Sequence, residues 1–530
     1  MEPDARPAPT RAEVAGAALA AIGLGVALAA IPAFRAARVW YPDHGFAAPW
    51  VALCGALYAA AQIRRRAGAS APLTALWVAL LAPGVAGFVD LLGYTLARRC
   101  TGDLFLGVFL GAQRVRAGVA VYDLAGLQQS VNATPFAIAL LTPFGHLSGA
   151  ALLPGWLALQ AVWLAVGIAA LWSLADRAMR ARGGRAGVPE LGLIFAVTVG
   201  FNALQRSVRL GQFDLLLFAL LAAGIALLAV GVAGRARAAA LGGALGGGTA
   251  ALKILPVLAL GPPAVAALGW WRRRRDPRAT RAVASALLAL ALTAGAATAL
   301  GVGVVSPREA GRFVQNLATI QRGSSLGVNH AVVARAAKYR EPWRLLRHAP
   351  LEARDLRWLN PLRGITLALW ILVARRASPR AVAHLAALGV ASAPLFSAAC
   401  WAIYFVWVAL LPWCIALPTP AGARPLAALR AVSPALQRAL RATLMAGSFA
   451  LLGLAGSSVT RALDARAVAA LDVPPWFDEA KLLGLALLIA HLAWRVAETS
   501  DEGASGDLSA ASSAAAADRP SPAPRFAPPA

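Results

Sequence analysis

Charged residues are scarce in this sequence of 530 residues: they make up 14% of it, whereas hydrophobic residues make up 59%. Lysine is rarer still, because only Lys253, Lys338 and Lys481 accompany the many arginines. The sequence has no HExxH or CxxC motif and no Cys/His spacing of the kind that binds a metal or carries redox chemistry. The composition therefore excludes an ordinary soluble domain, and we predict no cofactor and no metal site.

The sequence has four scattered cysteines, Cys54, Cys100, Cys400 and Cys414. At least three of them lie in or beside apolar segments. We interpret them as small buried residues. The net charge of +26 would indicate nucleic-acid binding in a soluble protein. Here the arginine clusters fall between apolar runs, where the positive-inside rule explains them, so we predict no nucleic-acid partner.

Apolar runs of roughly 16 to 25 residues recur from end to end, and each is long enough, or nearly so, to cross a bilayer as a helix. We predict an all-α polytopic membrane protein with roughly 12 to 14 transmembrane helices. The predicted spans are 13–33, 47–63, 72–96, 154–175, 188–204, 212–232, 239–252, 255–271, 281–304, 361–375, 380–396, 399–418, 440–458 and 480–496. Residues 133–149 are predicted to form a short or re-entrant helix, because 133–175 is too short for three crossings.

Three parts follow from these spans: a cytoplasmic N-terminus (1–11), an integral membrane domain (12–497) and a disordered cytoplasmic tail (498–530). The tail is rich in Ala, Ser, Pro and Asp and lacks apolar periodicity. The arginines at 64–66 mark the inner side of the second span, so residues 101–136 are expected on the outer side. A second outer region is expected at 305–360.

Asp103 is the first candidate for chemistry, because it stands at the mouth of a span and opens a helical stretch with one apolar face. That face consists of Leu104, Phe105, Val108, Phe109, Ala112 and Val115. Its spacing predicts a helix lying along the membrane surface. A solvated residue at a helix end is the alternative for Asp103.

Three basic residues, Arg206, Arg209 and Lys253, are candidates for binding a phosphate or another anionic ligand. Two arginines on one helical face match phosphate oxygens, and a lysine beside a broken helix suits an anionic ligand. Interfacial anchoring of the arginines and snorkelling of the lysine are the alternatives. The remaining substrate-binding candidates are polar or aromatic residues near the same predicted surface: Tyr122, Asp123, Gln212, Asp214, Asn329, His330, Trp401 and Tyr404. The last two also fit an aromatic belt.

The order of these landmarks resembles glycosyltransferase family 87, membrane enzymes of the GT-C type that include polyprenol-phosphate-mannose-dependent alpha-mannosyltransferases of actinobacteria. The resemblance covers roughly residues 100–415 and is carried by short motifs. They are Asp103, Gly118 and Tyr122-Asp123; Thr134-Pro135-Phe136 and Thr142-Pro143; Gly211-Gln212; Lys253 to Pro256; and a late segment from Pro394 to Tyr404.

The resemblance implies transfer of a hexose, mannose first, from a polyprenyl-phosphate sugar to a hydroxyl of a glycan or glycolipid. It implies inversion, no metal, Asp103 as the base, and a site on the outer side of a bacterial inner membrane in contact with lipids. Two alternatives stay open at this point, a polytopic secondary transporter and a non-catalytic relative. The second is kept open by Ala402, Ile403 and Tyr404, where the family tends to carry histidine after the late Trp.

Overall fold

A computed structural model describes residues 10–33, 47–64, 71–98, 103–122, 133–181, 184–273, 276–323, 331–334, 351–397, 400, 404–417, 433–454 and 481–498. Within these ranges the secondary structure is helical and contains no strand, which confirms the predicted all-α class. The predicted cytoplasmic N-terminus, apart from its last two residues, and the tail beyond Glu498 lie outside the described ranges.

The α-helices are numbered here in chain order. They are α1 (Arg11–Ala30), α2 (Ala47–Arg64), α3 (Ala71–Arg98), α4 (Leu110–Arg116), α5 (Pro135–Leu141), α6 (Gly149–Arg180), α7 (Val188–Gly200), α8 (Asn202–Leu210), α9 (Asp214–Val232), α10 (Ala236–Leu252), α11 (Gly261–Arg272), α12 (Pro277–Val305), α13 (Pro307–Gly323), α14 (Ala353–Leu356), α15 (Leu359–Ala374), α16 (Val382–Ala391), α17 (Ala393–Phe396), α18 (Leu411–Ala416), α19 (Pro434–Leu454) and α20 (481–498). Two π-helices, Asp103–Phe109 and Val406–Leu410, lead into α4 and α18, and a 3₁₀ helix, Leu255–Leu260, leads into α11.

Five described helices are long and apolar enough to cross a membrane, namely α1, α3, α6, α9 and α12. Helices α7 and α8 would make a sixth span if taken together, although the chain bends by 58° between them. The predicted total of 12 to 14 is therefore not confirmed. Several predicted spans are broken into short helices, and prolines such as Pro256 and Pro394 stand at the breaks, where the missing N–H cannot continue a helical ladder.

The region predicted to hold a short helix and one true span does contain both. Helix α5 begins at Pro135, directly after the N-cap residue Thr134, and ends at Leu141. A 3₁₀ turn, Thr142–Phe144, follows it. Ser148 then caps α6 by accepting a hydrogen bond from Ala151 N at 3.2 Å. The 32-residue α6 is long enough to cross the bilayer alone.

Helix α10 is held between α9 and α12 by glycines on both of its faces. A Cβ added at Gly243 would lie 2.0 Å from Ala286 O of α12, and one at Gly242 would lie 2.5 Å from Gly224 O of α9. Small residues allow such close helix contact in a membrane, where packing rather than hydrophobic burial drives association. Leu288 and Leu292, on a different face of α12, are more than 60% exposed and fit contact with lipid. The end of α10 is thereby fixed within the bundle.

Helix α13 follows α12 and is amphipathic, as the sequence predicts for the second outer region. Phe313 is buried whereas its neighbour Val314 is 66% exposed. A helix with one buried apolar face and one exposed face suits the membrane surface. Its buried face meets the end of segment 103–122, where the Phe313 ring lies against that of Tyr122.

Candidate functional site

The clearest polar cluster lies where α10 ends. Its last helical residue is Leu252, and Lys253 adopts an extended backbone before the 3₁₀ helix. The Lys253 Nζ lies 2.8 Å from Asp214 Oδ1, at the start of α9, and 4.0 Å from the centre of the Tyr404 ring. Trp407 Nε1 donates a second 2.8 Å hydrogen bond to the same Asp214 oxygen. Three residues that the sequence analysis singled out, Asp214, Lys253 and Tyr404, are therefore brought together.

The two charges of this cluster differ in exposure. The Asp214 side chain is fully buried, whereas the Lys253 side chain is 20% exposed. The ammonium and the indole N–H compensate the carboxylate through Oδ1, whereas Oδ2 has no hydrogen-bond partner among the described residues. The Tyr404 ring adds a cation–π contact to the ammonium. Of the two charged side chains, Lys253 is thus the one that a ligand could reach.

A tight turn delivers Asp214 to this position. Gly211 ends α8 with φ of +69°, a left-handed conformation that glycine adopts without strain. Its carbonyl accepts a 3.0 Å hydrogen bond from Trp156 Nε1, and the Trp156 ring meets Phe213 edge to face. Gln212, another predicted site residue, lies in the same turn and is half-buried. Gly211 and Gln212 therefore form the turn that separates α8 from the apolar helix α9.

The two predicted arginines lie on α8, before the turn. Arg206 and Arg209 are both half-buried, and the Arg209 guanidinium lies 5.7 Å from the centre of the Tyr94 ring. Helix α8 packs against the π-helix that carries Trp407. The arginines are therefore at the same end of α9 as Asp214.

Segment 103–122 begins with Asp103, the first residue of a π-helix that continues into α4. The Asp103 side chain lies outside the described part of the structure. Helix α4 ends in a Schellman motif, in which Gly118 has φ of +67° and Val119 N donates to Arg114 O at 3.0 Å. This glycine, which the sequence analysis singled out, turns the chain toward Tyr122.

Tyr122 lies at the centre of a hydrogen-bonded clamp between segment 103–122 and helix α13. Its N–H donates to Glu309 Oε2 at 2.8 Å, its carbonyl accepts from Asn316 Nδ2 at 2.9 Å, and its ring lies 5.2 Å from that of Phe313. Its hydroxyl donates to Ala133 O at 2.8 Å. The pKa of Tyr122 is raised, mainly because the phenol is buried and also because the Glu309 carboxylate is near. Its polar atoms are therefore used within the protein.

The clamp continues to the Lys253 cluster through Thr134. The Thr134 hydroxyl donates to Ala251 O, in the last turn of α10, at 2.8 Å, and accepts from Ala137 N in α5. Helix α10 lacks intrahelical partners for its last carbonyls, so Thr134 satisfies one of them. A hydrogen-bonded path thus links Glu309, Tyr122, Ala133 and Thr134 to the backbone just before Lys253.

Four predicted site residues, Asp123, Asn329, His330 and Trp401, lie outside the described residues. Sequence reasoning missed Thr134 as a contact residue, together with Trp407, Glu309 and Asn316. Trp407 follows Tyr404 by three positions, a spacing that places both on one helical face. Glu309 and Asn316 gave no such signal, because their partners lie far away in the chain.

No group of three or more His, Cys, Asp and Glu side chains close enough to bind a metal occurs in the described ranges. The three cysteines there, Cys54, Cys400 and Cys414, are buried, in agreement with their interpretation as small buried residues.

Comparison with known proteins gives one family. The model of glycosyltransferase family 87 matches residues 134–398, which is half of the chain. No curated protein matches the chain significantly. The matched segment contains Asp214 and Lys253, whereas Asp103 precedes it and Trp407 follows it. Because the family consists of transferases, the match favours an enzyme over a transporter. The chain belongs to glycosyltransferase family 87 and is a membrane glycosyltransferase.

Proposed function

We propose that this enzyme transfers a hexose, mannose first, from a polyprenyl-phosphate sugar to a hydroxyl of a glycan or glycolipid. The reaction takes place at the outer face of a bacterial inner membrane, and the anomeric carbon is inverted. The donor, the acceptor, the sugar and the stereochemistry belong to this proposal, because family membership specifies only a glycosyltransferase.

The observation that carries this proposal is the hydrogen-bonded path from the clamp at Tyr122 to the backbone just before Lys253. The segment that begins with Asp103 ends at Tyr122, and Tyr122 is tied through Ala133 and Thr134 to the turn before Lys253. The segment that carries the Asp103 carboxylate is thereby tied to the partly exposed Lys253 side chain. A lipid-phosphate donor needs such a pair, a base for the acceptor and a cation for the leaving phosphate.

Asp103 acts as the base in the proposed reaction. The acceptor oxygen forms a bond to the anomeric carbon, and its proton passes to the Asp103 carboxylate. The bond between that carbon and the phosphate oxygen breaks, and its electron pair leaves with the polyprenyl phosphate. Attack from the face opposite the phosphate inverts the configuration.

Lys253, Arg206 and Arg209 are proposed to stabilise the departing phosphate. The phosphodiester carries one negative charge and gains negative charge as its bond to the sugar breaks. Cations that are already in place stabilise this change without reorganisation, and such terms are often the largest in catalysis. In this proposal the cations provide the stabilisation and no metal ion takes part.

The test is sugar transfer in membranes that contain the wild-type chain or Asp103→Asn, with radiolabelled polyprenyl-phosphate mannose first and then glucose, galactose and arabinose donors. Removing a general base is expected to lower the rate by roughly 10²–10⁴-fold. Asp276→Asn is the matched control, because Asp276 is an exposed carboxylate in the loop after α11, and asparagine tolerates its left-handed backbone.

Loss of transfer in Asp103→Asn alone, at equal abundance, supports both the activity and the base. Transfer that survives in Asp103→Asn removes Asp103 as the base and leaves the enzyme. If the wild type transfers from none of these donors, the proposed donor class is wrong and the chain is a relative that uses another donor or has lost activity.

A further inference from the structure

We propose that Asp214 is a positioning residue that fixes the Lys253 ammonium for the donor phosphate and does not itself touch substrate. This inference rests on the proposed function and adds a role that the sequence analysis did not assign, since it placed Asp214 among the substrate-binding residues. Three observations carry it: the burial of the Asp214 carboxylate, the sharing of its Oδ1 by two donors, and the partial exposure of the Lys253 side chain.

Burial separates the two roles. The Asp214 side chain has no exposed surface, so a substrate cannot reach it in this arrangement, whereas one-fifth of the Lys253 side chain is exposed. Of the pair, only the lysine side chain is open to a ligand. An anionic donor would therefore meet Lys253 first.

The contacts restrict the position of the ammonium from two sides. Asp214 Oδ1 accepts from Lys253 Nζ and from Trp407 Nε1, both at 2.8 Å. The Trp407 indole thereby holds the carboxylate oxygen in place, and this oxygen in turn holds the Lys253 ammonium. The Tyr404 ring, 4.0 Å from Nζ and 5.6 Å from the Trp407 ring, covers a second side. An ammonium has three N–H donors, and the ion pair engages one of them with Oδ1. Donors remain for a phosphate oxygen.

A long lysine side chain gains from such support. Its flexible stem has rotamer freedom that would otherwise be lost when the ligand binds. Asp214 removes that freedom before the donor arrives, so the ammonium is in place as the phosphate gains charge. Without Asp214, the chain keeps the cation but loses its position.

The experiment compares wild type, Asp214→Asn and the charge-swapped double variant Asp214→Lys with Lys253→Asp. Asparagine has nearly the same shape as aspartate and can still accept from Trp407, so Asp214→Asn is expected to fold. Each protein is purified in detergent micelles. Its thermal midpoint is measured with and without added undecaprenyl phosphate, and kcat and KM for the donor are measured per folded molecule. Asp276→Asn again serves as the control.

A positioning role predicts that Asp214→Asn lowers kcat at least roughly tenfold per folded molecule, because the cation is needed most as the phosphate departs. It also predicts a smaller stabilisation by undecaprenyl phosphate than in the wild type. The swapped variant is expected to regain neither transfer nor the stabilisation, because its cation lies in the buried position, where it faces the N–H donor of Trp407.

A purely structural ion pair gives a different result. Asp214→Asn would then lower the midpoint while kcat and KM per folded molecule stay unchanged, and this result would overturn the proposal. A wild type that is stabilised by undecaprenyl phosphate but transfers no sugar, with the stabilisation lost in Asp214→Asn, would retain the positioning role and reject the proposed reaction. A wild type that shows neither effect would reject both.

Discussion

The Glu309 carboxylate accepts a 2.8 Å hydrogen bond from the backbone N–H of Tyr122, which lies 187 positions earlier in the chain. The same oxygen accepts from Val121 N at 2.7 Å, while the other oxygen pairs with Arg312 at 2.7 Å. One buried side chain thus joins the end of segment 103–122 to the amphipathic helix α13. The two regions are expected to respond together when this residue is changed.

Replacing Glu309 with glutamine is expected to destabilise the protein by about 1–3 kcal/mol, because two charge-assisted hydrogen bonds to buried N–H groups are weakened. Arg312→Gln is the control. It removes the partly exposed salt bridge and leaves both backbone bonds, so it should cost at most about 1 kcal/mol. Thermal unfolding in detergent, followed by intrinsic fluorescence, compares the two. A larger loss in Arg312→Gln than in Glu309→Gln would contradict the clamp.

Tyr122→Phe distinguishes a clamp residue from a substrate-binding residue. The change removes the hydroxyl that donates to Ala133 O and keeps the ring against Phe313. We expect a loss of about 0.5–1.5 kcal/mol in stability and an unchanged KM for the donor. Tyr122→Leu, which also removes the ring contact, should lower the midpoint further. A KM that rises severalfold in Tyr122→Phe at an unchanged midpoint would instead return Tyr122 to the substrate site.

Composition and periodicity predicted the helical class, the short helix before α6 and the amphipathic α13, because each depends on local spacing. Short motifs identified Gly118, Gly211, Asp214 and Lys253. Glycines at turns and charged residues beside apolar runs are rare in this sequence, so they can be noticed without a structure. The pairing of Asp214 with Lys253 spans 39 positions and that of Tyr122 with Glu309 spans 187, so no helical period relates them. Long-range partners are set by helix packing, which one sequence does not reveal.

The glycines of α10 offer a test of close helix packing. In Gly243→Ala the new Cβ would lie 2.0 Å from a backbone oxygen of α12, so the two helices must separate. We expect a loss of about 1–3 kcal/mol from overpacking. Gly248→Ala is the matched control in the same helix, because nothing lies within 4 Å of its new Cβ. That change should be neutral or should stabilise the protein by about 0.5–1 kcal/mol. Equal midpoints for the two variants would contradict the described packing of α10 on α12.

The Lys253–Asp214 pair predicts a strong non-additivity in stability. Lys253→Met alone leaves a fully buried carboxylate without its cation, which is expected to cost about 3–5 kcal/mol. Adding Asp214→Asn removes the stranded charge while Trp407 Nε1 keeps an acceptor. The double variant should therefore recover much of the lost stability, because a neutral pair of similar size avoids the desolvation cost.

Unfolding midpoints of the wild type, both single variants and the double variant form the cycle that measures this coupling. Additive losses would show that the two charges do not interact. Transfer should separate from stability in the same set of proteins. The double variant regains its fold but has no cation at the site, so its kcat is expected to stay at the level of Lys253→Met. A double variant that recovers both stability and transfer would remove Lys253 from the phosphate site while leaving the ion pair as a structural element.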